Sequence, residues 1–337
     1  LYSILTSKME ETDTLQLFNQ IEMPLIEVLA DMQYQGINVD KKKLLEFGDE
    51  LKTRLNELTK EIYELAGEEF NINSPKQLGE VLFEKLKLPM AKKNKTGYST
   101  GVEILEKLKT THPIIEKLLE YRQIGRLNST YVEGLVPYIN NKTHKIHSSF
   151  HQTVTATGRI SSTDPNLQNI PTRYELGKNL RKVFKPGRGK IFIDADYSQI
   201  ELRVLAHISN DEHMIEAFNH DEDIHKQVAS KVFNVPIEKV TKKQRTRAKA
   251  VNFGIVYGIT DFGLAEQIGI PRKEAKQYIE QYLEKYQGIK QFMENIVEKA
   301  KKENYVETLF HRRRYVPEIN SNNYMVRQFG NRIAMNT

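Results

Sequence analysis

Apolar residues recur at helical spacing in three stretches of the first 140 residues: 14–35, the residues that follow Gly36, and 113–135. The apolar positions are Leu17, Ile21, Leu25, Val28, Leu29 and Met32 in the first stretch, Leu44, Leu45, Leu51, Leu55, Leu58 and Ile62 in the second, and Ile114, Ile115, Leu118, Leu119, Ile124 and Leu127 in the third. Because an α-helix turns once in about 3.6 residues, this spacing places such residues on one face. The pattern predicts three amphipathic helices.

Capping signals predict two more helix starts. Ser74-Pro75 combines an N-cap residue with proline at the first helical position, and Thr100-Gly-Val-Glu103 fits a capping box. Between them, LPMAKKNKTGYS (88–99) is polar and basic, which predicts an exposed loop. The loop is either simply solvated or contacts phosphate through its lysines. These are Lys92, Lys93 and Lys95.

The sequence pattern changes from helical to strand-like after residue 140. HKIHSSFHQT (144–153) and GKIFIDAD (189–196) are bounded by Gly, Pro and Asn and predict strands. From Ser198 the apolar spacing is helical again almost to residue 300. The predicted order is a helical arm, a strand-containing centre, a second helical arm and a return towards the centre.

Amino-acid composition excludes only a few classes of protein for this chain. The 337 residues carry 50 Lys and Arg against 44 Asp and Glu, a net charge of +6, which permits a polyanionic partner without requiring one. Cysteine is absent, which excludes disulfides and cysteine-ligated metals. No apolar run reaches the roughly 18 residues of a membrane span, so we expect no membrane partner. The sequence begins at Leu1 without a starting Met or a leader, and we expect it to be clipped from a longer chain.

A pair of carboxylates marks the end of the second predicted strand. In a strand, Asp194 and Asp196 point to the same side. A carboxylate at a strand end is well placed to hold Mg²⁺, which prefers hard oxygen ligands. The alternative is that Asp196 caps the helix that follows.

A polar stretch, TATGRISSTDPNLQNIP (155–171), carries the side-chain donors Arg159, Gln168 and Asn169. Composition alone leaves it either a surface loop or a functional one.

A stripe of four side chains spaced by four residues stands out in RTRAKAVNFGIVYGI (245–259). Its members are Arg245, Lys249, Phe253 and Tyr257. The other face of this predicted helix carries Ala248, Val251 and Ile255, suited to packing. The cationic end suits a triphosphate and the aromatic end suits a sugar and base. A helix with a mixed exposed face is the alternative.

Taken together and in this order, the three stretches resemble the family A DNA polymerases of the bacterial DNA polymerase I type. DYSQIELR (196–203) resembles motif A, RAKAVNFGIVYG (247–258) with Arg245 ahead of it resembles motif B, and residues 155–171 resemble the primer-template contact segment. The resemblance implies an α+β, right-hand polymerase with a helical thumb and fingers around an antiparallel-sheet palm. The implied domains are a join to an upstream exonuclease-type domain (1–33), thumb (34–140), palm (141–203), fingers (204–287) and a second, truncated palm segment (288–337).

The resemblance also assigns roles at the metal and nucleotide sites. Asp196 and the main-chain carbonyl of Tyr197 are expected to bind Mg²⁺, two ions in all. Glu201 is expected to be the steric gate against a ribose 2′-OH, braced by the hydroxyl of Tyr257. The triphosphate would be held by Arg245, Lys249 and His225, with Lys249 also catalytic. Phe253 would pack against the sugar, and phenylalanine there predicts rejection of dideoxynucleotides.

The resemblance further implies contacts to primer-template DNA near the growing end. The residues expected to make them are Arg159, Gln168, Asn169, Arg332 and Asn336.

One part of the family pattern is missing. The His-Asp-Glu turn of motif C does not occur, and the nearest strings, DEH (211–213) and DED (221–223), lie in the predicted fingers. We expect this second carboxylate, and the strands that pair with 189–196, beyond Thr337 in the same polypeptide or in a second chain. Residues 1–337 alone are then expected to be inactive.

The implied function is template-directed DNA synthesis in replication or repair, by two-metal transfer of deoxynucleotides from their triphosphates to a primer 3′-OH. The expected location is the cytoplasm, associated with the nucleoid. A single-subunit RNA polymerase is one alternative, against which Glu201 argues. A non-catalytic DNA-binding remnant is the other.

Overall fold

The computed structural model describes residues 1–89, 93–94, 97–171 and 175–337. Lys92, Lys95 and the side chain of Lys93 lie outside the described residues. The chain divides into two compact units, each assembled from separate stretches. The first unit comprises Leu1–Leu25, Thr155–Arg159 and Asp194–Thr337, and the second comprises Ile26–Val154 and Ile160–Ile193.

Helices dominate both units. Up to residue 181 they are Tyr2–Glu11, Leu15–Leu17, Met23–Gln35, Lys41–Ala66, Pro75–Gly79, Val102–Lys107, Pro113–Arg126 and Glu175–Arg181, with π-helical segments at Phe18–Glu22, Glu80–Lys85 and Leu127–Glu133 and 3-10 turns at Val136–Tyr138 and Leu167–Asn169. From residue 200 they are Ile200–Ser209, Glu212–Asn219, Ile224–Val232, Lys242–Val256, Asp261–Ile268, Arg272–Lys285, Gln287–Glu303 and Tyr324–Met335, with 3-10 turns at Ile237–Lys239 and Pro317–Asn320. The three long helices predicted before residue 140 are confirmed, as is the helical run after Ser198.

The helix Lys41–Ala66 shows why this sequence folds as it does in the second unit. Asp40 caps its start by accepting a hydrogen bond from the Lys43 N–H at 3.1 Å, and Gly67, with φ of 74°, ends it. Its buried face packs against the helix Pro113–Arg126, and Leu44, Leu58 and Ile62 have no exposed surface. Two apolar clusters on this helix form the core of the second unit.

Two predictions about helices need correction. In Met23–Gln35 only Leu29 is buried, whereas Val28 and Met32 are 54% and 46% exposed, so the apolar face predicted there is mostly not covered by the described residues.

The capping box predicted at Thr100 is also wrong. Gly101 precedes the helix Val102–Lys107, and the buried Thr100 hydroxyl instead accepts a hydrogen bond from the Arg122 guanidinium at 3.3 Å.

The sheets are small and antiparallel. Ile37–Val39 is the central strand between Lys145–Ile146 and Phe184–Lys185 in the second unit. The remaining pairs are Lys93–Asn94 with Gly97–Tyr98, Ser149–His151 with Ser161–Thr163, and Tyr305–Glu307 with Arg313–Tyr315. The strand prediction for 144–153 is confirmed in part by Lys145–Ile146 and Ser149–His151.

The strand predicted over 189–196 is wrong for the described structure. A segment in which side chains alternate between two faces becomes a β-strand only when a neighbouring strand accepts and donates the backbone hydrogen bonds of the ladder. No described residue pairs with this segment, and Ile191 and Ile193 are 81% and 85% exposed.

The core of the first unit gathers the helices after residue 200. Leu202, Met214, Ile224, Val251 and Ile289 are each at most 1% exposed and pack in one cluster. No helix in the described ranges combines the length and apolarity of a membrane span.

Asp211 ties two helices of this unit together although they are distant in sequence. Its carboxylate, 2% exposed, accepts from the Met214 N–H at 3.0 Å and from the N–H groups of Gly288 and Ile289 at 2.9 and 3.4 Å. A side chain at Gly288 would place Cβ 2.8 Å from the Asp211 Cα, so the two backbones meet too closely for any residue but glycine.

We expect Asp211→Ala to lower the free energy of unfolding by about 2–4 kcal/mol, because two buried N–H groups and one partly buried N–H group lose their carboxylate acceptor. Urea unfolding followed by circular dichroism would measure this loss. Asn323→Ala is the matched control, since Asn323 also caps a helix of the same unit by accepting from the Met325 N–H at 2.9 Å, but is exposed. Equal losses in the two variants would contradict the special role of Asp211.

Candidate functional site

The helix Lys242–Val256, called the stripe helix below, carries the predicted stripe. Thr241 and Gln244 form a reciprocal capping box at its start, with N–H to side-chain oxygen distances of 3.2 and 2.9 Å. Ala248, Val251 and Ile255 are at most 2% exposed and bury the opposite face, as predicted. The stripe lies on the other side of the helix, with Lys249 exposed and its other members partly exposed, and Phe253 and Tyr257 also pack against the edge of the core cluster.

The side chains of the stripe adjoin one another along this face. Lys249 Nζ lies 5.8 Å from the centre of the Phe253 ring, and the Phe253 and Tyr257 rings are 6.0 Å apart. The His225 ring lies 5.9 Å from that of Phe253 and extends the surface to the helix Ile224–Val232, called the histidine helix below. The surface is cationic at one end and aromatic at the other.

Arg245 makes an ion pair with Asp223, with 2.6 Å between Nε and Oδ2. Asp223 also caps the histidine helix by accepting from the Lys226 N–H at 3.1 Å. Burial by itself would raise the pKa of Asp223, but the hydrogen bonds from Arg245 and from the Lys226 N–H outweigh it and lower that pKa. Asp223 thus fixes both Arg245 and the start of the histidine helix.

His225 is 1% exposed, and its Nδ1 lies 2.8 Å from the amide nitrogen of Asn252. Burial chiefly, and then the positive charge of Arg245, lowers the pKa of His225 to about 4. At neutral pH the ring is therefore uncharged. Its Nε2 is buried and has no hydrogen-bond partner among the described residues.

Glu201 is held by two donors. The Tyr257 hydroxyl donates to Oε2 at 2.6 Å, which is the contact expected from the sequence, and the Arg159 guanidinium donates to Oε1 at 2.9 Å. Burial and then the hydrogen bond to Glu201 raise the pKa of Tyr257 to about 12, so its hydroxyl remains a donor at neutral pH. These two hydrogen bonds orient the half-exposed carboxylate at the first turn of the helix Ile200–Ser209.

Two cavities open at this place, with volumes of about 520 and 530 Å³. Their shared lining is Thr157, Arg159, Glu201, Phe253, Tyr257 and Asn336. Volumes of this size are typical of small-molecule sites. The aromatic end of the stripe, Glu201 and Arg159 are therefore brought together around space for a ligand.

Asp196 and Tyr197 lie in an exposed, irregular segment before the helix Ile200–Ser209. The alternative that Asp196 caps this helix is wrong, because the residue before the helix is Gln199, with φ of 53°. A carboxylate and a main-chain carbonyl are the hard oxygen donors that Mg²⁺ prefers. Among the residues that the structure describes, however, no group of three or more His, Asp or Glu side chains is arranged to hold a metal ion. The donors fit such an ion in kind but not in number.

The predicted DNA-contacting residues fall in both units. Arg159, Arg332 and Asn336 belong to the first, and Asn336 lines the cavities. Gly258, with φ of 71°, sits so close to the last helix that a Cβ would approach Met335 Cε to 2.4 Å and Arg332 Cγ to 3.4 Å. The end of the stripe helix is therefore packed against the helix Tyr324–Met335.

Gln168 and Asn169 belong to the second unit and form a 3-10 turn with Leu167. The Gln168 side chain donates to the Ile160 carbonyl at 2.9 Å, and the Asn169 carbonyl accepts a hydrogen bond from the Tyr131 hydroxyl. Both residues are exposed.

The sequence model of the protein family described as DNA polymerase family A matches residues 41–337 of this chain. The chain belongs to this family. The prediction of a family A polymerase with an α+β fold is confirmed.

Relatives of this family A chain include DNA polymerase I of Bacillus subtilis strain 168, 54% identical over 334 residues, and that of Lactococcus lactis subsp. cremoris, 56% identical over 328 residues. The matches cover 99% and 97% of this chain but only 38% and 37% of the relatives, so the chain spans less than two fifths of their length. Among solved structures, the POL domain of Pol1 from M. smegmatis in complex with DNA primer-template and dNTP matches with a TM-score of 0.91 and 42% identity, over 98% of this chain and 59% of that one.

Two residues of the candidate site were missed from the sequence. Asp223 belongs to the DED string, which was noted only because it is not motif C, although an Asp directly before a helix is a capping signal. Asn252 stands within the motif B segment without an assigned role. Asp223 bonds to Arg245, 22 residues away, and Asn252 bonds to His225, 27 residues away. Spacing along the sequence does not indicate contacts between residues so far apart.

Proposed function

We propose that this chain carries the nucleotide-binding part of a DNA-directed DNA polymerase, which adds deoxynucleotides to a primer 3′-OH under the direction of a template and releases pyrophosphate. The observation that carries this proposal is Glu201, held by Tyr257 and Arg159 beside Phe253 on the wall of a cavity of ligand size. The similarity to a polymerase domain in complex with primer-template and dNTP supports it.

The stripe provides the contacts that a deoxynucleoside triphosphate needs. Arg245 and Lys249, together with His225, hold the triphosphate through charge-assisted and neutral hydrogen bonds. Phe253 packs against the sugar, and a phenylalanine without a hydroxyl selects against dideoxynucleotides. Glu201 fills the space of a ribose 2′-OH, and its two donors keep it from moving aside.

Catalysis of phosphoryl transfer is chiefly positioning and neutralisation of charge. We assign Lys249 a catalytic role because its ammonium lies on the exposed face of the stripe, where charge develops on the transferring phosphoryl group. The chemistry that two bound Mg²⁺ ions would supply is activation of the primer 3′-OH and neutralisation of the charge on the leaving pyrophosphate. Asp196 and the carbonyl of Tyr197 would supply part of their ligands, and the remaining carboxylate would come from outside residues 1–337, in the same polypeptide or in a second chain.

The proposed DNA contacts combine cations and amides. Arg159 and Arg332 would neutralise phosphates, and Gln168, Asn169 and Asn336 would hydrogen-bond near the growing end of the primer, so that binding weakens with salt. The domain bounds proposed from the sequence place all five of these residues in the palm segments, 141–203 and 288–337, and none in the thumb (34–140) or the fingers (204–287). The same proposal implies that the protein acts in DNA replication or repair, in the cytoplasm and associated with the bacterial nucleoid.

Primer extension tests this function. We expect the complete polypeptide that contains these residues to extend a primer on a template with Mg²⁺ and deoxynucleotides. We expect residues 1–337, purified free of it, to give no templated extension, because one carboxylate leaves the metal ions without enough ligands.

The two outcomes separate two claims. Extension by residues 1–337 alone would contradict the proposed need for further metal ligands. A complete polypeptide that binds primer-template but never extends it would contradict the polymerase function and favour the DNA-binding remnant.

A further inference from the structure

Asn252 and His225 form a buried pair in the first unit that the roles above leave unexplained. Asn252 has no exposed surface and His225 is 1% exposed. Asn252 lies on the stripe helix directly before Phe253, and His225 is the second residue of the histidine helix. Their side chains meet at 2.8 Å between the Asn252 Nδ2 and the His225 Nδ1.

This contact selects one form of the imidazole ring. An amide nitrogen can only donate, so Nδ1 of His225 accepts and carries no proton. In the neutral ring the proton is then on Nε2, which becomes a donor. The opposite orientation of the amide would place its oxygen against Nδ1 and leave Nε2 an acceptor, which phosphate oxygens repel.

The charges around the ring keep it neutral. Arg245 and Lys249 on the stripe helix disfavour a proton on the ring, whereas Asp223 on the histidine helix favours one. Burial has the largest effect, and together these influences lower the pKa of His225 to about 4. A donor fixed in this way does not depend on pH between about 5.5 and 8, unlike an exposed histidine with a pKa near 6.5.

We propose that Asn252 is a positioning residue that holds His225 in the tautomer with its proton on Nε2, so that the neutral ring donates a hydrogen bond to the triphosphate of the incoming nucleotide. Two observations support it: Nε2 is buried without a partner among the described residues, and the ring lies 5.9 Å from that of Phe253, whose ring centre is in turn 5.8 Å from Lys249 Nζ. The last step, donation to the triphosphate, rests on the proposed function, whereas the tautomer does not.

The tautomer is measurable without activity. We expect ¹⁵N NMR of the histidine-labelled complete polypeptide, with the signal assigned by His225→Gln, to show a protonated Nε2 and an unprotonated Nδ1 that do not titrate down to pH 5.5. A proton on Nδ1, or titration near pH 6.5, overturns the proposal.

The effect on the nucleotide is tested in the complete polypeptide. Asn252→Asp replaces the donor by an acceptor of the same shape, which favours a proton on Nδ1 and raises the pKa of His225. We expect its KM for deoxynucleotide to rise about tenfold from pH 6 to pH 8.5, as the loss of one charge-assisted hydrogen bond implies. The wild-type KM should change by less than about threefold.

His225→Gln provides the matched background, since an amide neither titrates nor forms tautomers. If Asn252 acts through His225, the added pH dependence disappears in the double variant. Its persistence there overturns the proposal. Failure of the wild-type complete polypeptide to use deoxynucleotides would instead refute the proposed function, and the NMR result would still decide the tautomer.

Discussion

Lys249→Ala in the complete polypeptide is expected to lower kcat/KM for deoxynucleotide incorporation about 10²–10³-fold, the usual effect of removing one group that stabilises transition-state charge. Among the described residues no carboxylate lies within ion-pair distance of Lys249, whereas Arg245 is paired with Asp223. Lys249 is therefore the cation of the stripe whose charge is available to a triphosphate. Single-turnover incorporation over a range of nucleotide concentrations would separate the losses in binding and in rate.

Lys243→Ala is the matched control, because it removes the same charge from the same helix. Six residues before Lys249, it lies on a different face, is exposed, and should change kcat/KM less than about threefold. Equal losses in the two variants would indicate a general electrostatic effect. Unchanged turnover in Lys249→Ala, with the same melting temperature as the wild type, would refute the role given to the stripe.

Glu201→Ala is expected to admit ribonucleotides. The carboxylate is oriented by hydrogen bonds from Tyr257 and Arg159, and its removal opens space on the cavity wall where a 2′-OH would lie. Because a small change in a pocket's volume is worth about 10–200-fold in discrimination, the ratio of kcat/KM for deoxynucleotides over ribonucleotides should fall by about 10²-fold. Competing incorporation of the two sugars opposite one template base measures this ratio.

Two further variants separate volume from charge. Glu201→Gln keeps the volume and should keep most of the discrimination, and Tyr257→Phe, which removes one of the two donors, should lose an intermediate part. An unchanged sugar preference in Glu201→Ala would refute the gate. A wild-type polypeptide that prefers ribonucleotides would favour the RNA polymerase alternative.

Local patterns in the sequence predicted the helical elements well. The spacing of Leu44, Leu51 and Leu58 and that of Ala248, Val251 and Ile255 specify buried faces because both depend on the helical repeat alone. The Ser74 cap was also predicted, and its hydroxyl accepts from the Gln77 N–H at 3.4 Å. Long motifs did more than periodicity, since they indicated the family that the comparison confirms.

Predictions failed where a partner distant in sequence decides the outcome. Residues 189–196 alternate as a strand does, but a strand also needs a neighbour, and alternation carries no information on which segment that is. Thr100 resembles a capping residue until Arg122 is placed beside it. The pairs Asp223–Arg245 and Asn252–His225 are likewise visible only once two helices have packed.

The bond between Asp211 and the start of the helix Gln287–Glu303 has a practical consequence for protein engineering. Because Asp211 binds the N–H of Gly288 at 2.9 Å, residues 212–287 leave the rest of the chain and return to it at nearly one point. Segments with adjacent ends are those that tolerate exchange and insertion best. The stretch from Glu212 to Gln287 can therefore be exchanged as a cassette with that of a related polymerase, provided that Asp211 and Gly288 remain at the two junctions.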